Sequence, residues 1–403
     1  MRQCVSVFLF LLCVMTGYSR TVTEEDEIKA LSPADKELLT KIVRLEDEGL
    51  YEAVSPDFDY LAKKYPKNYV VNYERMYNLY MLKKYGEIIK DRKLLLNHKC
   101  ASERAFQLMG NAYDMSGDSK KAAKIYEDGL KRFPNSGSLY LELGNLALFD
   151  NDYGKALENY SKGIVVQPGF ASNYFWAAKI YLASQDAKVW GLVYAESEVL
   201  LAPSDESRRK EMAGLMVDCM KESIKVDGDT LQSVSLVTAT GIDPVSMTAR
   251  VTFPLVYETT LMLPLMRFSK DKTPVTWTLG QLTEIRKGIV EAYFSEFADY
   301  YGDSMYLLEY QKKIIDAGHW DAYNCFLFMD SFPDESEEWY SSNSEAMDSF
   351  IKWYNAAPFR LGDGRTVDPF QIKNPSRTVD LKEWFQLQAR LVSGGLGASV
   401  GEE

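Results

Sequence analysis

The chain has 403 residues, 46% hydrophobic and 13% aromatic, a make-up that excludes a disordered protein and leaves room for about two or three domains. Its formal net charge is −12 and no basic stripe interrupts the acidity. Nucleic acid is therefore not an expected partner, because phosphate contacts need clustered Lys and Arg, and the acidity serves solubility.

The N-terminal stretch MRQCVSVFLFLLCVMTGYSR has the layout of an export signal. Arg2 precedes an apolar run from Val5 to Met15, and Gly17 with Ser19 forms a small-x-small cleavage site. Cleavage after Ser19 gives a signal peptide over 1–19 and a linker over 20–31. The run is short for a bilayer span and no later window reaches about 20 apolar residues, so the mature chain is expected to have no transmembrane helix. Leu12, where lipoprotein processing needs a small residue before Cys13, disfavours a lipid anchor. The expected location is periplasmic or cell-envelope associated, with secretion as the other outcome of such a signal. Cleavage leaves Cys100, Cys219 and Cys325, each in an apolar or helical context. Buried thiols are expected there rather than a disulfide framework, with a bridge between two of them left open.

Two helical pairs come next. LLTKIVRLEDEGLYEAVSPDFDYLAKKYP (38–66) turns at Gly49 and ends at Pro66, and YERMYNLYMLKKYGEIIKDRKLLL (73–96) puts Tyr73, Met76, Tyr77 and Tyr80 on one helix face. Residues 110–134 and 144–168 then repeat one another. Gly110 returns as Gly144, Ala122 as Ala156, Tyr126 as Tyr160, Gly129 as Gly163 and Pro134 as Pro168, each 34 residues on. A two-helix unit of that period cannot bury its own apolar face, so neighbours must stack on it. Gly110, Ala122 and Gly129 let paired helices approach, aromatics fill the space between pairs, and the proline stops the second helix.

These residues make the chain similar to the tetratricopeptide repeat (TPR) family. Phe106, Met109, Gly110 and Tyr113 match helix A of the motif, and Ala122, Tyr126, Gly129 and Pro134 match helix B and its end. The second copy supplies Tyr140, Leu143, Gly144, Ala147, Ala156, Tyr160, Gly163 and Pro168, with Ala147 in place of an aromatic. The clearest units are 103–136 and 137–170. Downstream, Tyr174, Ala178, Tyr181 and Tyr194 keep the register, Pro203 comes one residue late, and Trp190 stands where helix B has its alanine. About five repeats are expected over 32–204.

The resemblance implies a helical-hairpin superhelix whose concave face is lined by fixed positions of each helix A. That register gives a partner-binding groove of Arg104, Gln107, Asn111, Asp114 and Met115, then Leu141, Asn145, Leu148 and Phe149, then Phe175, Lys179 and Leu182. The carboxylate clamp of the chaperone-binding members is missing. Gln107 replaces its first lysine, Ser172 and Trp176 its later basic pair, and Asn111 alone matches. A mixed groove with an apolar strip suits an extended or helical segment of another protein. The competing expectation is that residues 205–390 fold back and fill it.

SDESRRKEMAGLMVDCMKESIKV (204–226) reads as a helix capping the repeats, with Arg208, Arg209 and Lys210 as its solvated face. DGDTLQSVSLVTATGIDPVSMTARVTFP carries turn signals at Asp229, Gly241 and Asp243-Pro244 and reads as a linker or short β-hairpin. Leu255 to Leu265, apolar between Pro254 and Pro264, takes no assignment. Thr278 and Gln281 form a capping box ahead of Leu282, Ile285, Ile289, Tyr293 and Phe297. Residues 306–329 read as helix, turn at Gly318, and helix, and Asp380 with Glu383 opens a last helix carrying Trp384 and Leu387. A mainly α protein results, with a mostly helical C-terminal domain over 205–390 and a flexible tail over 391–403. The tail's GGLG follows no strand and is no dinucleotide loop.

Candidate chemistry is thin. Of two histidines, His98 forms an H-x-C pair with Cys100 but lacks the second pair of a four-ligand zinc site. His319 with Trp320 and Asp321 reads as a helix start before it reads as a base with its orienting acid. Asp150 to Gly154 resembles a calcium loop for five residues, then places its glycine early and lacks the liganding glutamate; turn chemistry accounts for it. Asp334, Glu335, Glu337 and Glu338 read as a solvated helix start. No G-x-S-x-G, H-E-x-x-H or phosphate loop occurs. No enzyme, cofactor or metal is therefore expected, and the leading expectation is an exported adaptor that binds a segment of another protein. Two alternatives stand beside it. One is a glycan- or small-ligand-binding envelope protein on the same scaffold, as in the nutrient receptors of some gut bacteria, with Trp320, Tyr323, Trp339 and Trp353 as platforms. The other is an enzyme in 205–390 built around His319.

Overall fold

The computed structural model describes residues 23–237, 242–243, 245–298, 305–369, 376–384 and 386. The expected signal peptide, the tail and Leu387 lie outside the described residues. Two compact units divide the chain after Asp150.

Unit 1 is helical: α1 (Glu24–Lys29), α2 (Pro33–Asp47), α3 (Tyr51–Lys64), α4 (Tyr69–Met81), α5 (Tyr85–Lys90), α6 (Arg92–Leu96), α7 (Glu103–Met115), α8 (Ser119–Arg132) and α9 (Gly137–Phe149). Side-chain oxygens fix the helix starts. Ser32, Asn68, Asp118 and Ser136 accept from the main-chain N–H groups of Asp35, Val71, Lys121 and Leu139. Within α7 and α8 the close approach is sterically enforced. A Cβ on Gly110 would lie 2.0 Å from Tyr126 Cε1, while Tyr126 OH donates to Asn111 Oδ1 at 2.5 Å.

Unit 2 continues with α10 (Tyr153–Val166), α11 (Ala171–Ala183), α12 (Lys188–Leu201) and α13 (Glu206–Ser223). Then come β1 (Ile224–Asp227), β2 (Thr230–Val234), β3 (Ile242–Asp243), β4 (Thr248–Thr252), α14 (Phe253–Lys270) and α15 (Leu279–Glu296). After these come α16 (Tyr306–Asp316), α17 (Trp320–Phe328), α18 (Pro333–Ala356) and β5 (Ser376–Asp380).

The period is kept residue for residue. Helices α4, α7, α9 and α11 begin at 69, 103, 137 and 171, and each has 13 residues. The turn after helix A needs one left-handed residue, and it recurs at the same spacing as Gly49, Lys83, Gly117 and Asn151, with φ of +84°, +59°, +87° and +59°. Asn151 thus occupies a repeat turn, and Asp152 beside it accepts from Lys155 N at 3.1 Å as a helix cap.

One residue is inserted later. The turn Ser184–Ala187 has four residues where Ser116–Asp118 and Asp150–Asp152 have three, so α12 starts one position late. This explains the late Pro203 and corrects the placement of Trp190. Gly191 holds the position of Ala122 and Ala156, and a Cβ there would come within 2.6 Å of Leu182 Cγ. Trp190 instead packs on Phe253 of α14, ring centroids 5.3 Å apart. The same slip moves Ala195, rather than Tyr194, into the place of Tyr160. It also sets α13 in A-helix register. Arg209, Met212, Ala213 and Met216 fall where Phe106, Met109, Gly110 and Tyr113 stand in α7, and all four are buried. Arg209 is therefore not on a solvated face: its Nη2 donates to Asp330 Oδ2 at 3.1 Å, over the ring of Phe326.

The expected hairpin is present. Strands β1 and β2 pair antiparallel around Gly228, and β3, β4 and β5 form a second antiparallel sheet. The unassigned Leu255–Leu265 stretch lies inside α14. Pro254 occupies its first turn, where a missing N–H costs nothing. Pro264 is mid-helix, opposite Gly288 of α15, where a Cβ would sit 3.0 Å from Pro264 Cβ. Half of the capping box expected at α15 forms: Thr278 accepts from Gln281 N, but Gln281 Oε1 reaches past the cap and accepts from Thr276 N and Trp277 N rather than from Thr278 N. Glu335 adds a further cap, accepting from Leu279 N at 2.8 Å.

Candidate partner-binding face

Groove positions recur with the helix, so the 34-residue spacing carries them back to α4 as well. There they are Val70, Tyr73, Tyr77, Tyr80 and Met81, all half-buried. In sequence these tyrosines read as one helix face but not as part of the groove. The start of α4 at Tyr69 supplies the missing register.

In α7 and α9 the polar groove residues are held by neighbours. Gln107 Nε2 donates to Glu142 Oε1 at 2.8 Å, and Asn145 Nδ2 donates to Glu142 Oε2 at 3.2 Å. One carboxylate thus orients amides from two successive A helices. Asn111 takes the Tyr126 hydroxyl, and Asp114 Oδ1 accepts from Ser119 Oγ at 2.8 Å. Arg104 is exposed. Leu141, 8% exposed, is given to packing. Met115 and Phe149 close the last turn of their helices at the same repeat position, and they are 55% and 83% exposed.

Unit 2 treats the same positions differently. Phe175 is 6% exposed. Its ring lies under the guanidinium of Arg208 at 4.8 Å and the Lys179 ammonium at 5.2 Å. Lys179 is in turn paired with Glu211 of α13 at 2.5 Å, and Arg208 Nη1 donates to Ser172 Oγ at 3.0 Å. Leu182 packs on Gly191. Helix α13 therefore takes up Phe175 and Lys179 of α11 in its own contacts.

Several of the remaining candidates lie in packed surroundings. Glu196 of α12 accepts at Oε1 from Arg286 Nη2 at 2.5 Å, from Gln311 Nε2 at 2.6 Å and from the Tyr323 hydroxyl. Arg286 also bonds Asn324 and lies over the rings of Trp320, Tyr323 and Phe328. Trp320 and Tyr323 are buried in this cluster and offer no platform to a sugar. His319 lies against Phe350 and Trp353, ring centroids 6.2 and 5.6 Å away. Cys100, Cys219 and Cys325 form no disulfide. Burial pushes the Glu198 carboxyl up to about 7, with Arg208 Nη1 at 3.6 Å opposing the shift. Among the described residues, Glu27, His98 and Cys100 are the group able to hold a metal ion.

No helix among the described residues is long and apolar enough to cross a membrane. No protein-family model matches the chain. Over 73 residues, 18% of the chain, it is 34% identical to the cellulose synthase operon protein C of Pseudomonas fluorescens (strain SBW25), and the match covers 6% of that protein.

Proposed function

We propose that the chain is an exported adaptor, without a reaction of its own, that holds a segment of another protein on the A-helix face of unit 1. The observation that carries the reading is the recurrence of large exposed apolar side chains, Met115 and Phe149, at one position of successive repeats. Scattered apolar residues on a surface need no explanation, but a strip set by a repeat does. Beside it stand the half-buried Tyr77 and Tyr80 and the amides of Asn111 and Asn145. An extended or helical segment would set apolar side chains on the strip and its polar groups against the amides.

Site-specific photo-crosslinking tests the face in the native host. A benzophenone side chain in place of Met115 or Phe149 is expected to trap one and the same protein. The same probe at Lys124, on the exposed side of α8, is expected to trap none. Equal trapping from all three positions would overturn the reading. Export rests on residues 1–19, and mass spectrometry of the mature chain should find Arg20 as its first residue.

A further inference from the structure

The His98-Lys99-Cys100 pair lacks a partner in the sequence, and the fold supplies one. Glu27, on α1, comes to the loop between α6 and α7. One ligand atom from each of Glu27, His98 and Cys100 lies within 4.8 Å of the others, with His98 Nε2 3.7 Å from Glu27 Oε1. The triad is held in place from outside. Glu27 Oε2 accepts from Tyr69 N at 2.8 Å, the Glu27 carbonyl accepts from Asn68 Nδ2 at 2.7 Å, and the His98 ring stacks on Tyr69 at 5.3 Å. All three residues are half-buried, so an ion can enter and a water can complete its shell.

The donor set is one carboxylate oxygen, one imidazole nitrogen and one thiol sulfur. Zinc takes all three kinds in a tetrahedral shell, whereas calcium and magnesium require oxygen ligands. We propose that Glu27, His98 and Cys100 bind one zinc ion, with a water molecule in the fourth position. Bond lengths of about 2.0–2.3 Å to zinc draw the three ligand atoms closer together than they stand. The ion displaces the hydrogen bond from Cys100 N to His98 Nδ1 at 3.1 Å, as the ring turns a lone pair to the metal. It also expels the thiol proton to solvent. Bound zinc ties α1 to the α6–α7 loop.

Cobalt(II) is the probe, added to the reduced, purified full chain. A near-ultraviolet thiolate-to-cobalt band is expected to saturate at one equivalent and to vanish when zinc is added. Cys100→Ser should abolish the band and Cys219→Ser should keep it. His98→Gln and Glu27→Gln should each weaken binding at least about tenfold. In the unaltered chain, zinc should protect Cys100 from alkylation, read by peptide mass spectrometry. The proposal is overturned by the absence of a band at one equivalent, by a band that survives in folded Cys100→Ser, or by alkylation of Cys100 that zinc does not slow.

Discussion

Helices α8 and α12 fill the same place in the repeat and end in opposite environments. Helix α8 buries Ala122, Tyr126 and Gly129 and leaves Lys120, Lys121, Lys124 and Glu127 exposed around it. Helix α12 is buried without a break from Gly191 to Leu200, Glu196 and Glu198 included. The motif residues set how two helices of a pair approach. The other face decides whether the pair is a surface or an interior, because a helix apolar all round must be covered. Covering α12 obliges its two carboxylates to find cations: Glu196 has Arg286, and Glu198 has Arg208 at arm's length.

The contrast breaks most visibly at Arg286. Arg286→Met leaves Glu196 buried without its cation and should cost about 3–5 kcal/mol, read as a lower calorimetric midpoint. A loss below about 1 kcal/mol would mean the pair contributes little.

Glu198 sharpens the contrast through pH. Its folded-state pKa of about 7 lies above the ordinary 4.5, so the folded chain holds an extra proton between those values. The contribution is fully present below about pH 4.5 and is lost as pH rises through 7, a loss of up to about 3 kcal/mol. Urea midpoints at pH 5 and pH 8 should differ less in Glu198→Gln than in the unaltered chain.

Gly110→Ala probes unit 1. Its methyl meets the Tyr126 ring, and overpacking there should destabilise by about 1–3 kcal/mol. Lys124→Ala, on the open side of α8, should stay within about 0.5 kcal/mol in the same assay.

The helical pairs are legible in the sequence because Gly110, Ala122, Gly129 and Pro134 answer backbone demands that no other residues meet as well. Trp190 is where that reasoning slips. A bulky residue in an alanine position signals a shifted register, and the signal is readable in the late Pro203, but only the four-residue turn at Ser184–Ala187 locates it. Helix α14 is illegible because Pro254 and Pro264 read as breakers, and Gly288, which makes room for Pro264, lies on another helix. In the candidate face, Gln107, Asn111, Asn145 and Phe149 follow from the family resemblance, which implies the groove positions of each helix A. Glu142, which orients two of them, does not, and neither does Glu27 beside His98. A carboxylate's partner 35 or 71 residues away leaves no local trace.

The most direct test of the A-helix face is affinity capture in the native host. It compares the unaltered chain with a Met115→Glu, Phe149→Glu double variant and with Lys124→Glu, all checked for folding by circular dichroism. The unaltered chain and Lys124→Glu should retain the same protein, and the double variant should lose it by at least about tenfold. Undiminished capture of that protein by the folded double variant would contradict the assignment of this face as the binding surface.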